Sequence, residues 1–244
     1  MQRAAAYEAV QMMEERSDRI QAAIFDLDGT LLDTIGDIAD SMNRVLEEHG
    51  LPTHSIDAYK LFVGDGIREL VRRSLPENSR TAVGIDRMVE AMSAEYDLRW
   101  RMKTRMYPGI DAMLEMLVAK GIRLAIVSNK PDSFTRVMVD ALLGAWPFEH
   151  VIGAEGRFPK KPAPDAALFV AGTMGIAPSR CIYLGDTSID MITAVRARMT
   201  AIGVTWGFRT PDELIESGAE FLIDHPMDLA GLPIGPFNQT GDSA

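Results

Sequence analysis

Short unbroken apolar runs alternate along this chain with longer stretches in which apolar residues recur every three or four positions. The first pattern predicts buried strands and the second predicts helices. Strands are predicted at residues 20–25, 122–127, 151–154, 180–184, 200–204 and 220–223. Between them, residues 33–48 place Ile38, Met42, Val45 and Leu46 on one helical face, with Gly50 just beyond the end. Further helices are predicted at 110–120, 131–143, 164–174, 188–197 and 210–217, with a short one at 226–230. Runs that are apolar throughout belong to strands buried on both faces, as in a parallel sheet covered by helices on each side. The predicted class is therefore α/β: a Rossmann-like three-layer core with a parallel sheet.

One stretch breaks the alternation. Residues 55–101 carry only helical periodicity, interrupted by Gly64, Gly66 and Pro76. Residues 36–104 therefore read as a small α-helical cap domain inserted into a core made of 20–35 and 105–232. Hinges are expected near Thr34–Ile35 and at 104–106. Residues 1–19 read as a helical N-terminal extension. Residues 233–244, rich in Gly, Pro and polar side chains, read as a mobile tail.

Composition narrows the classes. The 244 residues carry a formal net charge of −10, which argues against a nucleic-acid partner. No apolar run approaches the ~20 residues of a membrane-spanning helix. Residues 1–19 lack a basic start followed by an apolar core, so no secretory signal is expected. With a single cysteine, Cys181, no internal disulfide forms; its apolar neighbours predict a buried strand position. A cytoplasmic protein, monomeric or homodimeric, is the resulting expectation.

The candidate chemistry lies at the strand ends. Asp26-Leu27-Asp28-Gly29-Thr30 follows the first strand. Alternation aims Asp26 and Asp28 to the same side, and clustered carboxylates suit a hard cation such as Mg²⁺. Ser128-Asn129-Lys130 and Gly185-Asp186 follow two other strands, and ligands of open parallel sheets bind at strand carboxyl ends. Taken singly, each motif has an ordinary reading. Ser128-Asn129 caps the next helix, Lys161 is a surface lysine, and Asp190 is a charge near a helix N-terminus.

Taken together and in order, these motifs resemble the haloacid dehalogenase superfamily of phosphotransferases. The match comprises Asp26-Leu27-Asp28-Gly29-Thr30, Ser128-Asn129-Lys130, Lys161 in Lys160-Lys161-Pro162, and Gly185-Asp186-Thr187-Ser188-Ile189-Asp190. The resemblance implies a Mg²⁺-dependent phosphomonoesterase working through an aspartyl phosphate. Asp26 would be the nucleophile and a metal ligand. Asp28 would be the proton-transfer group, its carbonyl also on the metal, and Asp186 would complete the protein ligands. Asp190 would support the metal from behind. Lys161 would neutralise charge, and Thr30, Ser128 and Asn129 would bind the phosphate or support its loop.

The insertion follows the first motif directly, as in the branch with a helical cap. Segments 33–38, 63–70, 206–214 and 219–224 are similar to the phosphoglycolate phosphatase family. This makes 2-phosphoglycolate the leading substrate among small anionic phosphorylated metabolites, with Gly64 and Arg68 as candidates for setting specificity. Pyrophosphate, nucleotide or sugar phosphates are alternative substrates. A β-phosphoglucomutase-like transferase is another reading, weakened because residues 35–38 lack the histidine which that family carries nearby. A non-catalytic regulatory protein of the same fold is disfavoured by the intact Asp26, Asp28, Lys161 and Asp186.

Overall fold

Strand β1 (Ala22–Phe25) is buried along its whole length, and its alternating side chains feed two different apolar layers. Ala23 and Phe25 pack in one cluster with Leu124, Ile126, Ile182 and Leu184. Ala22 and Ile24 pack in the other with Ala125, Val127, Cys181 and Tyr183. A sheet apolar on both faces must be covered on both, and helices supply the two outer layers. A computed structural model describes residues 20–154 and 156–234. The expected N-terminal helix and residues 235–244 of the expected tail lie outside these; Ile234 is buried against the core.

The remaining elements, in chain order, are β2 (Leu32–Asp33), α1 (Ile35–Glu48), α2 (Ile56–Phe62), α3 (Ile67–Ser74), α4 (Ala82–Arg99), β3 (Arg105–Met106), α5 (Ile110–Ala119), β4 (Arg123–Pro131), α6 (Asp132–Leu142), β5 (Phe148–Ala154), α7 (Asp165–Thr173), β6 (Cys181–Gly185), α8 (Ser188–Ala197), β7 (Thr200–Val204), α9 (Pro211–Glu216) and β8 (Phe221–Ile223). The main sheet has six strands in the order β5-β4-β1-β6-β7-β8, and every pairing is parallel. Helices α5 and α6 cover the Phe25 face, and α7 and α8 cover the Ile24 face. The α/β class and the parallel sheet with a helical insertion are thus as the periodicity predicts. Cys181 is fully buried in its strand.

Because β1 lies between β4 and β6, the connections leaving its two sides open a crevice at the strand carboxyl ends. Helices α1–α4 form the insertion above it. The chain leaves and re-enters through β2 and β3, which pair antiparallel, Leu32 opposite Met106 and Asp33 opposite Arg105. This two-residue ribbon is too short to show as a periodic pattern. The buried Asp37 side chain ties it to the insertion, accepting hydrogen bonds from Lys103 N, Thr104 N and Thr104 Oγ1. Strand β4 also runs further than its apolar stretch, through Ser128-Asn129-Lys130, whose side chains are buried. Among the described residues, no helix is long and apolar enough to cross a membrane.

Candidate active site

Asp26 continues the β1 ladder by one bond, its N–H donating to Leu184 O at 3.0 Å. The chain then turns through Gly29, whose φ of 88° is left-handed. A side chain at Gly29 would also collide with the Asp186 carboxylate, 2.3 Å from the position of its first carbon. Gly207 is equally constrained, with Asp186 Cβ 2.2 Å from the same built position. The two glycines let backbone close around Asp186. Thr30 Oγ1 donates to Asp186 Oδ1 at 3.1 Å, and the Phe208 N–H donates to Oδ2 at 2.8 Å. Thr30 is thereby committed to orienting Asp186.

Carboxylate oxygens of Asp26, Asp186 and Asp190 lie within 4.8 Å of one another, all three residues buried. Lys161 Nζ sits between two of them, 2.8 Å from Asp26 Oδ1 and 2.7 Å from Asp190 Oδ1. The other oxygen of Asp190 accepts from Thr187 N and Oγ1 at the start of α8. Both oxygens of Asp190 therefore accept hydrogen bonds, one from Lys161 and the other from Thr187. Asp26 Oδ1 differs: its lysine partner is close but off-line, and no donor is aligned on it.

Asn129 wires the strand ends together. Its Oδ1 accepts from Lys161 N at 2.8 Å, and its Nδ2 donates to Lys161 O at 2.9 Å and to Gly64 O of the insertion at 3.0 Å. Ser128 Oγ accepts from Lys130 N. Arg209 secures the insertion from the core side, donating to the carbonyls of Lys60, Leu61 and Val63 near the end of α2.

The electrostatics call for a cation. Burial, together with the charges of Asp190 and Asp28, pushes the Asp26 carboxyl up to about 7 against the opposing pull of Lys161. Burial pushes Asp186 well above the usual carboxylate range, reinforced by Asp190 and Asp26. Burial opposes the charge of Lys161, but Asp190 and Asp26 outweigh it and the ammonium is held well above its ordinary value. Asp26, Asp28, Asp186 and Asp190 face two lysines, Lys130 and Lys161. Two carboxylates are left uncompensated, and the donors are hard oxygens, one without an aligned partner. This set fits a divalent cation of the Mg²⁺ type.

A cavity of about 60 Å³ opens onto Asp26 and Asp28, room for roughly four to six waters. Ser128, Asn129 and Gly64 line it, as do the apolar side chains of Ile38, Val63, Leu70, Met92 and Phe134. Arg68 does not line it; its guanidinium is half exposed and paired with Asp86 of α4. Among the described residues, the cation on the cavity wall is Lys130, and beside it stands Tyr96 from α4. The motif containing Lys130 is visible in the sequence, but nothing in helical spacing shows that Tyr96 meets it.

The sequence matches the haloacid dehalogenase-like hydrolase family over residues 23–204. It is 33% identical over 210 residues to a phosphoglycolate phosphatase of Pseudomonas putida, covering 82% of this chain and 75% of that protein. It is 30% identical to a phosphoglycolate phosphatase of Aquifex aeolicus, covering 87% of this chain and 96% of that protein. In three dimensions it resembles a provisionally assigned phosphoglycolate phosphatase from Lactobacillus delbrueckii. The TM-score is 0.83 at 31% identity, over 89% of this chain and 99% of the other.

Proposed function

Since the chain belongs to the haloacid dehalogenase-like hydrolase family, we propose that it is a Mg²⁺-dependent phosphomonoesterase that uses Asp26 as nucleophile and 2-phosphoglycolate as substrate. The observation that carries this reading is the buried Asp26–Lys161–Asp190 arrangement beside Asp186 at the β1 crevice. The relatives named phosphoglycolate phosphatase direct it to that substrate.

Asp26 and Asp186 would hold the cation, with the Asp28 backbone carbonyl. When bound, Mg²⁺ screens the phosphate charge from the attacking carboxylate and orients the phosphoryl group. An Asp26 carboxylate oxygen attacks phosphorus, forming the Asp26–phosphoryl bond while the bond to the substrate alkoxide breaks. Asp28 donates its proton to that alkoxide, and glycolate leaves. Asp28, now ionised, takes a proton from water, which attacks phosphorus, frees phosphate and regenerates Asp26. Lys161 holds Asp26 in line and offsets charge on the transferring group. Ser128 and Asn129 sit beside the phosphoryl position. Gly64 and Gly66 bring the start of α3 to the cavity wall, where a helix N-terminus favours the substrate carboxylate.

The test is turnover of a panel of phosphorylated metabolites with and without Mg²⁺, compared as kcat/KM. The expected result is Mg²⁺-dependent hydrolysis with 2-phosphoglycolate leading the panel. A larger kcat/KM for nucleotide or hexose phosphates would overturn the substrate assignment.

A further inference from the structure

Lys130 is a buried cation whose contacts join the core to the insertion. Its Nζ lies 3.1 Å from each oxygen of Asp28 and 3.0 Å from the Tyr96 hydroxyl. An ammonium has three donors, and these three acceptors match them. Lys130 is 7% exposed and Tyr96 3%, so neither contact is shared with bulk water. The ammonium also stands 4.5 Å from the centre of the Tyr96 ring, a cation–π geometry. The ring is fixed edge-on against Phe134 of α6, and its hydroxyl reaches Met138 Sδ at 3.8 Å.

From this geometry we propose that Lys130 is a positioning residue that holds the Asp28 carboxyl for proton transfer. Through Tyr96, it makes that hold depend on the inserted helices being seated on the core. The proposal rests on the reading of Asp28 as the proton-transfer group. The two carboxyl oxygens of Asp28 are gripped together, which fixes the plane of the group as well as its place. Tyr96 belongs to α4, whereas Lys130 and Asp28 belong to the core. Lifting α4 removes one of the three acceptors and the ring face, admits water to the ammonium, and loosens the grip on Asp28. The inserted helices therefore complete the proton-transfer apparatus as well as covering it.

A lysine that merely filled space would slow every substrate alike; one that positions Asp28 acts only where a proton moves. The leaving group separates the two. An alkoxide such as that of glycolate requires protonation as it departs, whereas 4-nitrophenolate does not. The second step needs Asp28 as base for either substrate. Lys130→Met keeps the length and bulk of the side chain and removes the charge. The expected result is a loss of about 10²-fold in kcat for 2-phosphoglycolate. With 4-nitrophenyl phosphate, the pre-steady-state release of nitrophenol should stay within about threefold of wild type, while steady-state turnover falls by a factor like that for 2-phosphoglycolate. Tyr96→Phe, which removes only the hydroxyl, should lose kcat for 2-phosphoglycolate by about tenfold or less. The double variant should be no slower than Lys130→Met, because coupled residues are not additive. Equal slowing of the nitrophenol burst and of 2-phosphoglycolate turnover would overturn the positioning role, and additive losses would overturn the link through Tyr96. If the wild-type protein hydrolyses neither ester, the phosphomonoesterase reading itself fails, which is a different outcome from wild-type turnover with an indifferent Lys130→Met.

Discussion

Among the described residues, the cation beside Asp26 is Lys161, while Asp190 and Asp28 press negative charge on it. Replacing the nucleophile itself should be the most damaging single change. Asp26→Asn is expected to lose about three orders of magnitude or more in kcat while keeping its fold, since it is nearly isosteric. Full activity in that variant would end the mechanism. Arg68 makes the opposite case. Its ion pair with Asp86 lies on the surface of the insertion, and exposed pairs contribute little. Arg68→Ala should leave kcat/KM for 2-phosphoglycolate within about twofold, and a tenfold rise in KM would show that Arg68 does reach the substrate. At this scale the strand-end residues were legible because a period of two and an apolar run place Asp26, Asp28 and Asp186 just past strands and Ser128 just past an apolar run. Tyr96 was not, because helical periodicity identifies the buried face of α4 without saying which core residue meets it.

Helix α1 begins the insertion directly after β2, and its Asp37 side chain holds the segment leading into β3 by accepting from three donors, two backbone N–H groups and a hydroxyl. Removing a buried acceptor leaves those donors without partners. Asp37→Ala should cost about 2–4 kcal/mol in urea unfolding; a loss under about 0.5 kcal/mol would show that the ribbon does not depend on this carboxylate. The order of long elements was readable from the sequence, since each buries a continuous or periodic apolar face. The ribbon was not, because two-residue strands carry no period. The continuation of β4 through Ser128-Asn129-Lys130 was hidden for a related reason. Those residues are polar yet buried, held by hydrogen bonds and ion pairs rather than by apolar packing.

Over the whole molecule, the acidic site should couple metal binding to stability and to pH. In the folded chain Asp26 keeps its proton up to about pH 7, against an ordinary value of 3.8, and Asp186 is displaced in the same direction. Between those limits the folded state binds more protons than the unfolded state. Metal-free stability should therefore fall as pH rises from about 4 to about 7. A bound cation favours the ionised carboxylates, so Mg²⁺ should raise the melting temperature more at about pH 8 than at about pH 5. Thermal unfolding in chelator and in Mg²⁺ at the two pH values checks this, and a Mg²⁺ effect of equal size at both would contradict it. The strongest claim concerns a covalent bond, and it can be tested without reference to substrate preference. The protein is mixed with Mg²⁺ and 2-phosphoglycolate, quenched in acid within one turnover, and digested for peptide mass spectrometry. The account predicts a phosphoryl group on Asp26, absent from Asp26→Asn; phosphate on any other residue, or turnover by Asp26→Asn near the wild-type rate, would contradict it.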